Sequence, residues 1–111
     1  MKIRANNVAK ADGYQDTDAI VIGLFAVHLS FSDWLGGFSV THVPTGWAIR
    51  TSLTWAQACR LLDALLAHQE LDWTFTDPQQ ARALDDAIRP IFAEAGVIWA
   101  GRTAMSGERR A

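Results

Sequence analysis

The pattern of apolar and polar positions divides the chain into a strand-rich first half and a helical second half. Residues 20–31 begin with apolar side chains on both faces of an extended chain, which predicts a central strand covered on both sides. Gly23 interrupts this run and is typical of a bend or bulge. Ahead of it, residues 1–18 are predicted to hold one short strand, residues 2–5, followed by a polar loop.

A hairpin is the most definite local feature of the first half. A turn at residues 32–37 precedes residues 38–43, in which apolar and polar positions alternate. Pro44 presets the backbone of the next turn, and Gly46 can adopt the positive φ that such a turn requires. Residues 47–51 then return, so the pattern predicts three antiparallel strands in a meander.

The first helix is predicted to begin at Thr54, because Gln57 three residues later completes the spacing of a capping box. Its apolar positions form a stripe wide enough to cover a sheet face, with Leu62 and Leu65 buried between helix and sheet. The stripe contains Trp55, Ala58, Leu61, Leu62, Leu65 and Leu66. Residues 71–75 then alternate, which predicts a short fourth strand or an extended link.

A second helix is predicted to begin at Asp77, an N-cap residue followed by proline, and to stop at Gly96. Pro90 should kink this helix or end its regular part early. Its apolar positions are Leu84, Ile88, Ile91, Phe92 and Ala95. Residues 97–99 are predicted to add a short final strand, and residues 101–111 to form a flexible tail.

These elements together predict one α+β domain over residues 1–111, an antiparallel meander of three or four strands with two helices packed on one face. Half of the 111 residues are apolar and a fifth are charged, an ordinary globular balance. The single Cys59 excludes an internal disulfide. No secretory signal is visible, and residues 19–31 are too short to span a bilayer, so we expect a cytoplasmic protein without membrane contact.

The helical half is locally acidic, since residues 61–98 carry seven acidic side chains and two arginines. Nucleic-acid binding is not expected there, because phosphate contacts require Lys and Arg. A protein partner with a basic surface fits better, and tryptophan is favoured at such contacts. The candidate binding residues are Glu70, Asp72, Trp73, Asp77, Asp85, Asp86, Trp34 and Trp47. The alternatives are a solvated acidic face and tryptophans that fill the core.

Two histidines offer the chain's best candidate for chemistry. His28 and His42 lie on adjacent predicted strands, and the intervening turn could place them nearly opposite one another. Two imidazoles make a partial metal site, which Asp33 or another carboxylate would have to complete. Nothing in the spacing fixes that third ligand, so we expect no bound metal and no cofactor. A small metal- or ligand-dependent enzyme built on these histidines remains the alternative.

Other catalytic signals are missing from the sequence. It contains no nucleophile elbow, zinc-binding helix motif, phosphate-binding loop or dinucleotide fingerprint. Cys59 would need a positioned histidine as base, and His68 lies too far along the predicted helix to serve. The sequence therefore favours a non-enzymatic function.

Residues 38–51, followed by the helix start at Thr54, resemble a hairpin-then-helix pattern found in small uncharacterised proteins of phages and mobile elements. The resemblance covers residues 38–66 and rests on turn and strand chemistry, so no functional residue is carried over. It implies a phage- or plasmid-type accessory protein that binds, and is a candidate inhibitor of, a host protein. The remaining alternative is a structural subunit that self-associates, as a homodimer for example, through an exposed sheet face.

Overall fold

Six strands and two α-helices make up the described part of the chain in the computed structural model, which covers residues 1–7, 10–31, 36–68, 71–77, 79–80 and 84–97 without the side chain of Asp85. The strands are β1 (Lys2–Asn6), β2 (Tyr14–Asp18), β3 (Ile20–Ile22), β4 (Phe25–Leu29), β5 (Phe38–His42) and β6 (Trp47–Leu53). The helices are α1 (Trp55–Ala67) and α2 (Asp85–Ala95). The predicted α+β class is confirmed.

The strands form two antiparallel sheets. β1 pairs with β2, and β3 to β6 form a four-stranded meander in chain order. Residues 14–18, predicted to be loop, are therefore a strand. The prediction of one central strand over residues 20–31 is also wrong, because Gly23 adopts a φ of 61° and turns the chain between β3 and β4. The segment predicted as one strand thus forms two, β3 and β4, which gives the meander its fourth strand.

The four-stranded sheet has a different layer on each of its two sides. In β4 and β5 the facing pairs are Phe25 with His42, Ala26 with Thr41, Val27 with Val40, His28 with Ser39 and Leu29 with Phe38. Alternate pairs point to opposite sides of a sheet. Phe25, Val27 and Val40 join the core formed with the two helices, so theirs is the helix-facing side. Ala26 packs with Ile3 and Ala5 of β1 on the opposite side of the sheet. This is the hairpin-facing side, named for the hairpin that β1 forms with β2.

The start of α1 is confirmed, since Thr54 Oγ1 accepts the Gln57 N–H at 3.1 Å and Gln57 Oε1 accepts the Thr54 N–H at 2.9 Å. Leu62 and Leu65 are buried, as the apolar stripe predicted. Trp55 departs from the stripe, because it is the first residue of the helix and 49% of it is exposed. The middle of α1 therefore packs on the sheet, whereas its first turn stays partly exposed to solvent.

The second helix begins later than predicted, at Asp85 rather than near Asp77. The Asp77 carboxylate still accepts a backbone hydrogen bond, from the Gln79 N–H at 2.9 Å, but it caps a short 3-10 turn at residues 79–80. Pro78 lies outside the described residues. The predicted helix start at Asp77 is therefore wrong, because the cap residue there serves a short turn that precedes the helix.

Pro90 lies inside α2 and does not end it, contrary to the prediction of an early end. Proline removes one hydrogen bond to the residue four positions earlier, Asp86, and both residues are exposed, so water can satisfy the freed carbonyl. Ile91 and Phe92, just beyond the proline, are fully buried and hold the helix against its neighbours. The helix stops at Gly96, as predicted, with a φ of 71°.

Residues 71–77 form the extended link that was one of the two predicted alternatives, with no strand pairing among the described residues. Val97 is buried in the helix-facing core. The rest of the predicted final strand at residues 97–99 and the predicted tail at residues 101–111 lie outside the described residues.

The turn at Gly46 yields a stability prediction. Gly46 has a φ of 74°, and a Cβ placed there would lie 2.8 Å from the Arg4 carbonyl oxygen and 3.0 Å from the Tyr14 ring. Gly46→Val should therefore lower the free energy of unfolding by more than the roughly 1–3 kcal/mol that a left-handed backbone alone costs a non-glycine residue. Urea denaturation measures the difference.

Gly13→Val is the matched control, since Gly13 has a φ of 81° and nothing lies within 4 Å of the added Cβ. Its free energy of unfolding should fall only by the cost of the backbone strain, because the added side chain does not collide with β1 or β2. Equal losses in the two variants would mean that Gly46 does not pack against the two-stranded sheet.

Candidate functional site

The two histidines do not form a common site. His42 faces Phe25 across the β4–β5 ladder, whereas His28 faces Ser39. Phe25 and His28 are three positions apart on one strand, so their side chains point to opposite sides of the sheet. The prediction that His28 and His42 lie opposite one another is therefore wrong, and the sheet itself separates them.

His28, on the hairpin-facing side, is buried and uses both ring nitrogens. Its Nδ1–H donates to the Leu29 carbonyl oxygen at 2.8 Å, and the Thr41 hydroxyl donates to its Nε2 at 2.7 Å. The ring stacks on Phe31, with 5.3 Å between the ring centroids. The Leu29 contact requires a proton on Nδ1, since a carbonyl can only accept, and in the neutral ring Nε2 is then the acceptor for Thr41.

His42, on the helix-facing side, is fully buried and carries the opposite tautomer. Its Nε2–H donates to the Trp73 carbonyl oxygen at 2.6 Å, and the Thr45 hydroxyl donates to its Nδ1 at 2.9 Å. Phe75 stacks on the ring, with 4.4 Å between centroids. The imidazole thus joins the sheet to the extended link at residues 71–77.

Burial lowers the pKa of both histidines below the ordinary value, against the opposing effect of the hydrogen bonds to Leu29 and Trp73. Both rings are therefore neutral at pH 7. Each remaining nitrogen lone pair accepts a threonine hydroxyl, so neither ring offers a lone pair to a metal or a substrate. Among the described residues, no three His, Cys, Asp or Glu side chains are grouped as possible metal ligands.

Trp73, predicted to anchor a binding surface, lies in the core and is only 3% exposed. Its ring meets Phe25 edge to face at 5.1 Å, and its Nε1–H donates to the His68 carbonyl oxygen at 3.4 Å. The assignment to the surface is corrected, because the hydrogen bond from His42 draws the link onto the sheet. Trp47 is partly buried and packs against the same core. Trp34 lies outside the described residues.

The structure describes three of the five acidic candidates for partner binding. Asp72, Asp77 and Asp86 are exposed. The Thr74 hydroxyl and then the Thr74 N–H, both donating to the Asp72 carboxylate, hold its pKa below the ordinary value, so it is negatively charged at neutral pH. Glu70 and the side chain of Asp85 lie outside what the structure describes.

An apolar band, not predicted from the sequence, runs along the uncovered part of the helix-facing side. It consists of the exposed Ile20, Ile22 and Leu29 of the sheet, with the partly buried Phe38 and the half-exposed Trp55 of α1 at one end. Ile20 faces Val27 and Ile22 faces Phe25, which places both isoleucines on the helix-facing side. Nevertheless Ile20 is 54% and Ile22 45% exposed. The helices therefore leave this edge strand uncovered.

The band continues from β3 to the first turn of α1. Leu29 is 65% exposed and faces Phe38 across the β4–β5 pair. It lies two positions along β4 from Val27, the residue that pairs with Ile20. The ring of Phe38 contacts Trp55 edge to face, with 5.1 Å between centroids. Contiguous apolar surface of this kind marks contact sites on soluble proteins. The band is the strongest candidate for a functional site.

Negative charge lies beside one end of the apolar band. An open cleft of about 430 Å³ next to Ile22 is lined by Gly23, Leu24, Phe25 and residues 71–74. Asp72 therefore lies near the β3–β4 turn, where the band ends. An apolar centre with a charged rim is the usual anatomy of a protein interface.

Comparison with protein-family models, with curated proteins and with solved structures finds no match to this chain. None of the helices in the described residues has the length and apolar character needed to cross a membrane. The arguments about function accordingly depend on the geometry of the site.

The two buried histidines predict how the free energy of unfolding depends on pH. Because their folded-state pKa lies below the unfolded value of about 6.5, the unfolded chain binds more protons as the pH falls through and below that value. The free energy of unfolding should therefore be highest above pH 6.5 and fall between pH 7.5 and 5.5. Urea denaturation across this range measures it.

His42→Gln is the informative variant, because glutamine retains an N–H donor for the Trp73 carbonyl and does not titrate. It should lower stability at pH 7.5 and give a flatter pH dependence than the parent. An unchanged slope in this variant and in His28→Gln would mean that neither ring is held neutral by burial.

Proposed function

We propose that the protein is a non-enzymatic accessory protein, of the phage or plasmid type, that binds a host protein through the apolar band with Asp72 at its rim. The observation that carries this proposal is the exposure of Ile20, Ile22 and Leu29 on a sheet face that is otherwise core. Large apolar side chains are costly to leave in water, and a partner that covers them gains the free energy of their burial.

The partner's surface should have an apolar centre flanked by Lys or Arg. Trp55 is suited to the centre, because a half-exposed tryptophan can bury its ring in a partner and is typical of binding hot spots. Asp72 supplies the complementary charge at the rim, where it would speed association more than it would tighten the complex. The other described acidic candidates, Asp77 and Asp86, are exposed and add to the negative charge of the helical half.

A non-enzymatic role is consistent with the use of both histidines as structural hydrogen-bonding groups. Inhibition of the partner would follow if the surface that the band covers is one the partner needs for its own activity. The resemblance of residues 38–66 to small phage and mobile-element proteins is the argument for a host protein as the partner.

Self-association is the second candidate, and the edge position of β3 is the observation that favours it. An edge strand with exposed apolar side chains can pair with another strand, including the same strand of a second copy. Light scattering separates the two candidates, since a homodimer hides the band in the free protein and a monomer leaves it available.

Leu29→Asp tests the apolar band directly. The side chain is 65% exposed, so the substitution should leave the melting temperature close to that of the parent while placing a charge in the centre of the interface. A host-lysate capture with the parent identifies the partner, and titration calorimetry then measures Kd. We expect Kd to rise at least about tenfold, the equivalent of about 1.4 kcal/mol.

Ala11→Asp is the matched control, because Ala11 is exposed in the turn between β1 and β2 and the substitution introduces the same charge on the other sheet, away from the band. It should bind the partner as the parent does. Equal weakening by both variants would indicate a general charge effect, and equal binding by Leu29→Asp and the parent would remove the band as the contact surface.

A further inference from the structure

The open cleft between the β3–β4 turn and the extended link has apolar walls and a carboxylate. Its volume of about 430 Å³ lies within the roughly 300–1,000 Å³ range of small-ligand sites. Leu24 and Leu71 line it and are only partly buried, so they offer apolar surface that a ligand can contact. Among the described residues that line the cleft, Asp72 has the one charged side chain. Apolar walls with a single charge select a ligand that has an apolar part and a cation.

The Asp72 carboxylate is held in place by a neighbour in the link. Thr74 donates both its hydroxyl, at 2.6 Å, and its N–H, at 2.9 Å, to the same oxygen, Oδ1. These bonds lower the pKa of the carboxyl, the hydroxyl more than the N–H, and Asp72 forms no ion pair with a described residue. Asp72 and Thr74 are exposed and both line the cleft, so a cation from solvent can reach this fixed negative charge.

The two bonds from Thr74 decide which cation fits the carboxylate. Each carboxylate oxygen has two lone pairs, and those of Oδ1 are both engaged. Oδ2 accepts no hydrogen bond from the part of the chain that the structure describes. Guanidinium binds best by donating two parallel N–H bonds to two oxygens, whereas an ammonium is a point charge that one oxygen can bind. The carboxylate therefore favours an ammonium group over a guanidinium.

We propose that the cleft receives a lysine side chain of the bound partner, with the ammonium group on Asp72 Oδ2 and the aliphatic stem against Leu24 and Leu71. Gly23, which lines the cleft, follows Ile22 directly in the chain, so the cleft adjoins the end of the apolar band. One partner surface can therefore cover the band and place a side chain in the cleft. The partner as the source of the lysine rests on the proposed function, whereas the preference for lysine rests on the geometry of the cleft.

The test is an NMR titration of the full chain with lysine capped as its Nα-acetyl N-methylamide, followed through the backbone amide signals of Gly23, Leu24 and Asp72. Arginine and norleucine with the same caps are the comparison ligands. Arginine changes the shape of the cation, and norleucine keeps the four-carbon stem of lysine without its charge. Sodium chloride at matched ionic strength controls for screening.

We expect saturable shifts with capped lysine and an affinity several-fold higher than for either comparison ligand. No saturable shift with lysine, or an affinity no higher than that for arginine or for norleucine, would overturn the proposal.

Asp72→Asn separates the charge of the cleft from its shape. Asparagine retains a side-chain oxygen that can accept from Thr74, so the link should keep its conformation while the affinity for capped lysine falls several-fold. Asp86→Asn is the matched control, since Asp86 is an exposed carboxylate on α2 that does not line the cleft, and it should bind capped lysine as the parent does. Undiminished affinity in Asp72→Asn would contradict the assignment of the ammonium to this carboxylate.

Leu29→Asp distinguishes failure of this proposal from failure of the proposed function, because Leu29 belongs to the apolar band and does not line the cleft. If the parent gives no lysine response although Leu29→Asp weakens partner binding, the lysine site alone is refuted. A lysine response in the parent, together with unchanged partner binding by Leu29→Asp, would instead remove the band as the contact surface and leave the lysine site standing.

Discussion

The hydrogen bond from His42 to the Trp73 carbonyl oxygen is the interaction on which the arrangement of the layers depends. It is buried, 2.6 Å long, and joins residues 31 positions apart in the chain. The extended link that it holds, residues 71–77, lies between α1 and α2 in the chain. The other ring nitrogen accepts the Thr45 hydroxyl, so the same imidazole also fixes the β5–β6 turn. The Gly46 carbonyl of that turn accepts the Asn6 N–H, which ties β1 to the assembly.

This arrangement decides which side chains remain for function. With the link drawn onto the sheet, Trp73 is buried and the partly buried Phe75 stacks on His42, while Asp72 stays exposed near the β3–β4 turn. Both histidine rings are engaged in structural hydrogen bonds, whereas Ile20, Ile22 and Leu29 of the apolar band stay exposed. The two isoleucines lie on the edge strand β3, which the helices leave uncovered. This distribution supports the proposed binding role of the sheet surface.

The sequence predicted those features that depend on a few neighbouring residues. The capping box at Thr54, the positive φ of Gly46 and the stop at Gly96 each follow from local backbone chemistry, and each is confirmed. The class of fold followed from hydrophobic periodicity. Periodicity alone does not distinguish one long strand from a tight hairpin, which is why the turn at Gly23 was taken for a bend.

Features that depend on strand register or on contacts between distant residues could not be predicted from the sequence. The faces on which His28 and His42 lie are set by the pairing of β4 with β5, and a shift of one residue would have reversed one of them. The burial of Trp73 depends on a histidine far away in the chain. The exposure of Ile20 and Ile22 follows from their place at the sheet edge, which could have been inferred only by reading Gly23 as a hairpin turn.

The most direct test of the account is a long-range ¹H–¹⁵N spectrum of the histidine rings at pH 7, since it reports which ring nitrogen carries the proton. The account predicts two neutral rings of opposite tautomer, with the proton on Nε2 in His42 and on Nδ1 in His28. A doubly protonated His42, or a His42 ring with its proton on Nδ1, would contradict it, because the bond to the Trp73 carbonyl would then not be the constraint that holds the link to the sheet.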